Sequence, residues 1–177
     1  MSKDKSIWVF GYGSLIWNNE KLKPVEIIDA KLIGAHRSFN KKSTQSRGTK
    51  NKPGLALGLE YGSECQGKAI KIPENYLPDL IEREKGYLMI QTPNDSLKVI
   101  DSKNQIIDCI VFFPDSKSPN FLNNKVTVEE KAKIIIQSEQ GVNGNSREYL
   151  KETYKFLKSL DIEDENVTKL YSLVFNK

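Results

Sequence analysis

The chain has 177 residues, a net charge of +4, 38% hydrophobic and 28% charged residues. This is the balance of an ordinary soluble globular protein, long enough to bury about two thirds of its unfolded surface in a single domain over residues 1–177. Cys65 and Cys109 are the only cysteines and His36 the only histidine, which excludes a spaced zinc site, a disulfide framework and any triad not built on His36.

No apolar run reaches the length of a membrane helix, and residues 1–6 lack the apolar core of a signal peptide. The 27 basic residues are spread along the chain, with one concentration at Lys41-Lys42 and residues 47–52 that suits a small anionic ligand as well as a nucleic acid. The expectation is a cytoplasmic protein, monomeric in its simplest form, with no metal, membrane or nucleic-acid partner.

Ile7-Trp8-Val9-Phe10 predicts a buried strand, and Gly11-Tyr12-Gly13-Ser14-Leu15 leads out of it. A turn with two glycines lets bare backbone approach a ligand, and its successive N–H groups form a small anion-binding concavity. The simpler reading is a strand end and a tight turn. Residues 18–24 are polar and read as a surface loop. Residues 25–39 are strand-like up to Gly34 and continue through His36-Arg37-Ser38-Phe39, where His36 reads as a packing or surface residue. Residues 43–54 are a loop by composition, with turns at Arg47-Gly48 and Pro53-Gly54. This segment is either a surface connection or the carrier of Arg47, whose guanidinium fork matches a carboxylate. Residues 55–61 and 65–72 alternate at period two around Gly62-Ser63-Glu64 and predict a β-hairpin. Its internal glycines fit a sharply bent sheet, as in a small barrel.

Residues 74–85 predict the first helix, with Tyr76, Leu77, Leu80 and Ile81 within one arc. Glu84 falls in that arc, whereas Glu82 and Arg83 project elsewhere. A partly desolvated carboxylate is what a general base near neutrality needs. If the helix ends one residue earlier, Glu84 faces water instead. Gly86 closes the helix. Residues 87–92, 97–100 and 106–113 predict strands, and the last, the most apolar stretch of the chain, is expected to be central. Thr127-Val128-Glu129-Glu130 matches a capping box that opens a helix to about residue 140. Residues 141–145 break it, and Asn145 or Ser146 caps a second helix carrying Tyr149, Leu150, Tyr154, Leu157 and Leu160. A last helix spans residues 165–175. Strands first and helices late make an α+β domain.

Several of these segments resemble, in order, the signatures of the ChaC-like, glutathione-specific γ-glutamylcyclotransferase family. They are Trp8-Val9-Phe10-Gly11-Tyr12-Gly13-Ser14-Leu15-Ile16-Trp17, Ser46-Arg47-Gly48-Thr49 followed by Pro53-Gly54, Gln66-Gly67-Lys68-Ala69, Arg83-Glu84 with Gly86-Tyr87, and the turn at 141–144 before Glu148-Tyr149-Leu150. The resemblance implies a small mixed β-barrel with flanking helices and C-terminal helices, and chemistry that needs neither cofactor nor metal. It implies that Val9, Phe10, Gly11, Tyr12, Gly13, Ser14 and Leu15 form the substrate-binding loop. Arg47 and Tyr149 are implied as further substrate contacts, and Glu84 as the catalytic base and acid. Two departures stand out: the Glu84-Lys85-Gly86-Tyr87 segment is compact, and Ile70 occupies a position where an aromatic is usual.

The implied reaction cuts glutathione without water, the γ-glutamyl α-amine attacking its own γ-carbonyl to release 5-oxoproline and Cys-Gly. Two alternatives remain: a cyclotransferase for other γ-glutamyl amino acids or amines, and a catalytically silent relative that binds a ligand or a partner.

Overall fold

The computed structural model describes residues 5–176; of the polar N-terminal stretch noted above, Met1 to Asp4 lie outside the described residues. Cα packing divides the chain into two compact units, one of residues 5–36 and 61–113, the other of residues 37–60 and 114–176. Two long strands, β2 (Glu26–Ser43) and β3 (Gly54–Pro73), contribute to both.

The other strands are β1 (Ser6–Gly11), β4 (Tyr87–Thr92), β5 (Lys98–Asp101), β6 (Ile106–Ile107) and β7 (Cys109–Pro114). All seven form one sheet in the order β4-β7-β1-β3-β2-β5-β6. The sheet is mixed: β1 pairs antiparallel with β3, setting Phe10 opposite Ala69 and Gly11 opposite Lys68, and parallel with β7, setting Trp8 opposite Cys109. With strands on both sides, β1 has no free hydrogen-bonding edge, and the second half of its apolar run, Val9 to Gly11, is buried.

Three expectations change. The run at 106–113 is two strands parted at Asp108, and β7, though wholly buried, lies beside the edge strand β4 while β3 takes the middle. No hairpin turn occurs at Gly62-Ser63-Glu64. Gly62 and Ser63 both adopt positive φ, 104° and 57°, and the chain kinks there without reversing, so that β3 continues for 20 residues. His36 serves this kink, its Nδ1 lying 2.9 Å from the Gly62 carbonyl oxygen. The strand expected at 25–39 likewise runs on to Ser43.

In the first unit the sheet packs on a core of Val9, Leu15, Leu22, Ile70, Ile72, Leu80, Ile110 and Phe112. A 3₁₀ turn at Glu20–Leu22 in the expected polar loop delivers Leu22 to it. The helix α1 (Leu77–Arg83) follows another 3₁₀ turn, Glu74–Tyr76. Leu80 is fully buried, but Ile81, placed by periodicity in the same arc, is 45% exposed. A helix of two turns buries only a narrow strip. Cys65 and Cys109 are free and buried, and burial pushes the Cys109 thiol well above its ordinary value.

In the second unit, α2 (Val128–Gln137), α3 (Ser146–Ser159) and α4 (Glu165–Phe175) pack on one another. The capping box opens α2 as the sequence indicates: Glu130 N–H donates to Thr127 Oγ1 and Thr127 N–H to Glu130 Oε2. Asn145 caps α3 and Asp164 caps α4. At the far end of α2, the Arg147 guanidinium donates to the carbonyls of Ile135, Ile136 and Ser138, satisfying a negative helix terminus with a cation. Arg37, 1% exposed, pairs with Asp164 at 3.1 Å. Among the described residues, no helix is long and apolar enough to cross a membrane.

Candidate active site

In the first unit the site begins where β1 ends. Gly11 is the last residue held by β3; beyond it Ser14–Ile16 form a 3₁₀ turn closed by Ile16 N–H to the Gly13 carbonyl at 2.9 Å. The leading N–H groups of such a turn, those of Ser14 and Leu15, have no acceptor within it. Of the seven loop residues expected to bind substrate, three turn their side chains into the core: Val9 and Phe10 are each 1% exposed and Leu15 is 7% exposed. Tyr12 is also buried, its hydroxyl donating to the Phe112 carbonyl at 2.7 Å. These four fix the turn, leaving its backbone and the half-buried Ser14 hydroxyl as the groups able to meet a ligand.

Glu84 comes to this turn by a route that helical phase does not describe. It is the C-cap residue of α1, with φ −92° and ψ 24°, and Gly86 follows at φ 92°. Its N–H donates to Leu80 carbonyl at 2.9 Å, and its carbonyl accepts from Tyr87 N–H at 3.0 Å, so the backbone is pinned on both sides. The helix does end before Glu84, yet the side chain is only 19% exposed. Arg83 lies against it: its Nε lies 3.5 Å from Glu84 Oε1, its Nη2 donates to Ser14 Oγ at 3.3 Å, and its Nη1 donates to the Asn18 carbonyl. Carboxylate and turn therefore share one guanidinium. Helical phase had sent Arg83 elsewhere; the signal that could have found it is the length of the side chain, which lets the head travel far from its Cα.

The second unit brings Arg47 and Tyr149 together. The loop at 44–53 and the turn at 141–144 bond edge to edge, Val142 N–H to the Gln45 carbonyl at 2.8 Å and Asn143 N–H to the Ser46 carbonyl at 2.9 Å. Only a residue without a side chain fits at Gly141, where a Cβ would lie 2.5 Å from both the Gln45 and Ser46 carbonyl oxygens. Arg47 donates from Nη1 to the Asn143 carbonyl, and its guanidinium carbon lies 4.9 Å from the centroid of the Tyr149 ring. Tyr149 in turn meets Phe39 edge-on at 5.9 Å. Ser146, at the start of α3, exchanges hydrogen bonds with the Leu55 backbone at 2.8 and 2.9 Å.

The architecture is that of the γ-glutamyl cyclotransferases: it superposes with a TM-score of 0.83 and 22% identity on a crystal structure of a glutathione-specific γ-glutamyl cyclotransferase from yeast, covering 96% of this chain and 95% of that one. The chain belongs to the ChaC-like protein family, whose sequence pattern matches residues 7–177. It is 33% identical to γ-glutamylcyclotransferase 2-3 of Arabidopsis thaliana, covering 96% of this chain and 88% of that protein. It is 31% identical to the glutathione-specific γ-glutamylcyclotransferase of Schizosaccharomyces pombe, covering 94% of this chain and 90% of that protein.

Proposed function

We propose that this chain is a γ-glutamylcyclotransferase that cleaves glutathione to 5-oxoproline and Cys-Gly, with Glu84 as the group that moves the proton. The observation that carries the reading is the shielded Glu84 carboxylate linked through Arg83 to the Gly11–Leu15 turn. At neutral pH the substrate amine is an ammonium and cannot attack. Glu84 accepts its proton, the freed nitrogen closes on the γ-carbonyl, and the γ-amide C–N bond breaks. The carboxylic acid then gives its proton to the departing nitrogen of Cys-Gly, and the second proton shed by the ring nitrogen follows, so that 5-oxoproline leaves as a neutral lactam and Cys-Gly as an ammonium.

No water enters and no covalent enzyme intermediate is needed. Because ring closure is intramolecular, holding the γ-glutamyl arm folded supplies much of the rate, and orientation of this kind is worth about 7–11 kcal/mol. The N–H groups of the turn take the substrate carboxylate or the oxygen that gains charge. Arg47 and Tyr149 are further proposed substrate contacts. The free thiols of Cys65 and Cys109 support a reducing, cytoplasmic setting.

Mass detection of 5-oxoproline and Cys-Gly after incubation with glutathione tests the activity, and γ-glutamyl-alanine run alongside tests the substrate class. Glu84→Gln should release neither product while keeping the fold by circular dichroism. An active Glu84→Gln enzyme removes Glu84 from the mechanism.

A further inference from the structure

At the last turn of a helix, an arginine needs no special explanation, since a cation is favourable beside the negative helix end. Arg83 does more than that. Its planar head reaches three oxygens: the Asn18 carbonyl, Ser14 Oγ at 3.3 Å and Glu84 Oε1 at 3.5 Å. Two of these belong to the segment that follows the Gly-Tyr-Gly turn and the third is the carboxylate. Asn19 braces the same segment by donating from Nδ2 to the carbonyls of Leu15 and Ile16 at 2.9 and 3.1 Å. The acceptor side of the fork is thus itself held.

We propose that Arg83 is a positioning residue for the reaction: it sets the Glu84 carboxylate at a fixed offset from the Ser14 turn before substrate arrives. The inference rests on the reading of Glu84 as proton acceptor. The distances suit the task. A contact of 3.5 Å is an ion contact, too long for a good hydrogen bond, so the guanidinium restrains the carboxylate without occupying a lone pair at close range. The tighter grip falls on the turn. Glu84 sits outside the helix on a flexible side chain with three rotatable bonds, and the ion contact to Arg83 narrows the rotamers it can take. The fork suits arginine: its planar head spreads its donors toward three acceptors, which the compact ammonium of a lysine would have to reach from a single point.

The experiment uses the full chain with glutathione, comparing Arg83→Ala, Arg83→Lys and Glu84→Gln by kcat, KM and thermal melting. Arg83→Ala should lose about 10- to 100-fold in kcat with KM within about threefold, the scale of a misplaced catalytic group. Millimolar guanidinium ion should restore part of that kcat, whereas sodium chloride at equal ionic strength should not. Arg83→Lys, which keeps the charge and the stem, should melt as wild type yet remain at least about fivefold low in kcat. It also supplies the reading if the alanine variant fails to fold. Wild-type kcat in Arg83→Ala or Arg83→Lys overturns the proposal, as does a loss in Arg83→Ala that guanidinium leaves unchanged. If Glu84→Gln is inactive and the Arg83 variants are normal, only the positioning role fails. If Glu84→Gln is active, the assignment of the base fails with it.

Discussion

Two arginines, Arg83 in the first unit and Arg47 in the second, each donate to a backbone carbonyl in or just beyond a glycine-containing turn, yet their surroundings differ in kind. Arg83 faces a carboxylate and a hydroxyl, so its charge is partly met inside the protein and its work is to hold. Arg47 donates to a carbonyl and lies over the ring of Tyr149, and its charge is the one proposed to meet an anionic group of the substrate. An arginine's neighbours, more than its position in a motif, decide how far its charge is met within the protein.

The contrast can be broken most decisively at the carboxylate. Glu84→Gln should lower kcat by about 100-fold or more, the usual worth of a positioned proton-transfer group, with glutathione binding nearly kept. Arg47→Met should show the opposite split, raising KM about tenfold or more while kcat changes little, as loss of a charged hydrogen bond to substrate predicts. Steady-state kinetics on the pair decides whether holding and recognising are separate functions. Gly141→Ala probes the scaffold behind Arg47: the added carbon meets two carbonyl oxygens, and stability should fall by about 1–3 kcal/mol in urea titrations. Its KM should rise as the Arg47 loop shifts, leaving kcat near wild type.

The smallest effect concerns a charge with no assigned part in chemistry. Lys131 in α2 donates to Ser38 Oγ at 2.9 Å, and burial pulls its pKa below the ordinary 10.5, against the opposing pull of Glu60. The native state therefore binds fewer protons than the unfolded one between the two pKa values, and stability rises with pH through that window. Lys131→Met lacks this term. Its stability relative to wild type should fall as pH climbs toward 10.5, which denaturant midpoints across the range would show.

Much of the chain was legible from pattern because local chemistry and tertiary packing agreed. The bounds of β4 and α4 and the capping box of α2 follow from apolar runs, turn residues and side-chain acceptors close in sequence. The failures share a cause. Gly62-Ser63-Glu64 has turn chemistry, but neighbouring strands keep the chain extended and convert the turn into a kink. Helical phase shelters Glu84 only if the helix runs past it; the helix ends before Glu84, which is nonetheless only 19% exposed, in a cap conformation beside the Arg83 guanidinium. Periodicity assigns each side chain one direction, and a long side chain such as Arg83 need not follow it.

The burial of Cys109 has a consequence of its own for a protein whose proposed substrate is itself a thiol. Exchange with a disulfide begins from a thiolate, and a thiol raised this far and enclosed in β7 almost never supplies one. Cys65 is similarly enclosed. Oxidised substrate would thus find both cysteines enclosed, and neither should become glutathionylated while the protein stays folded.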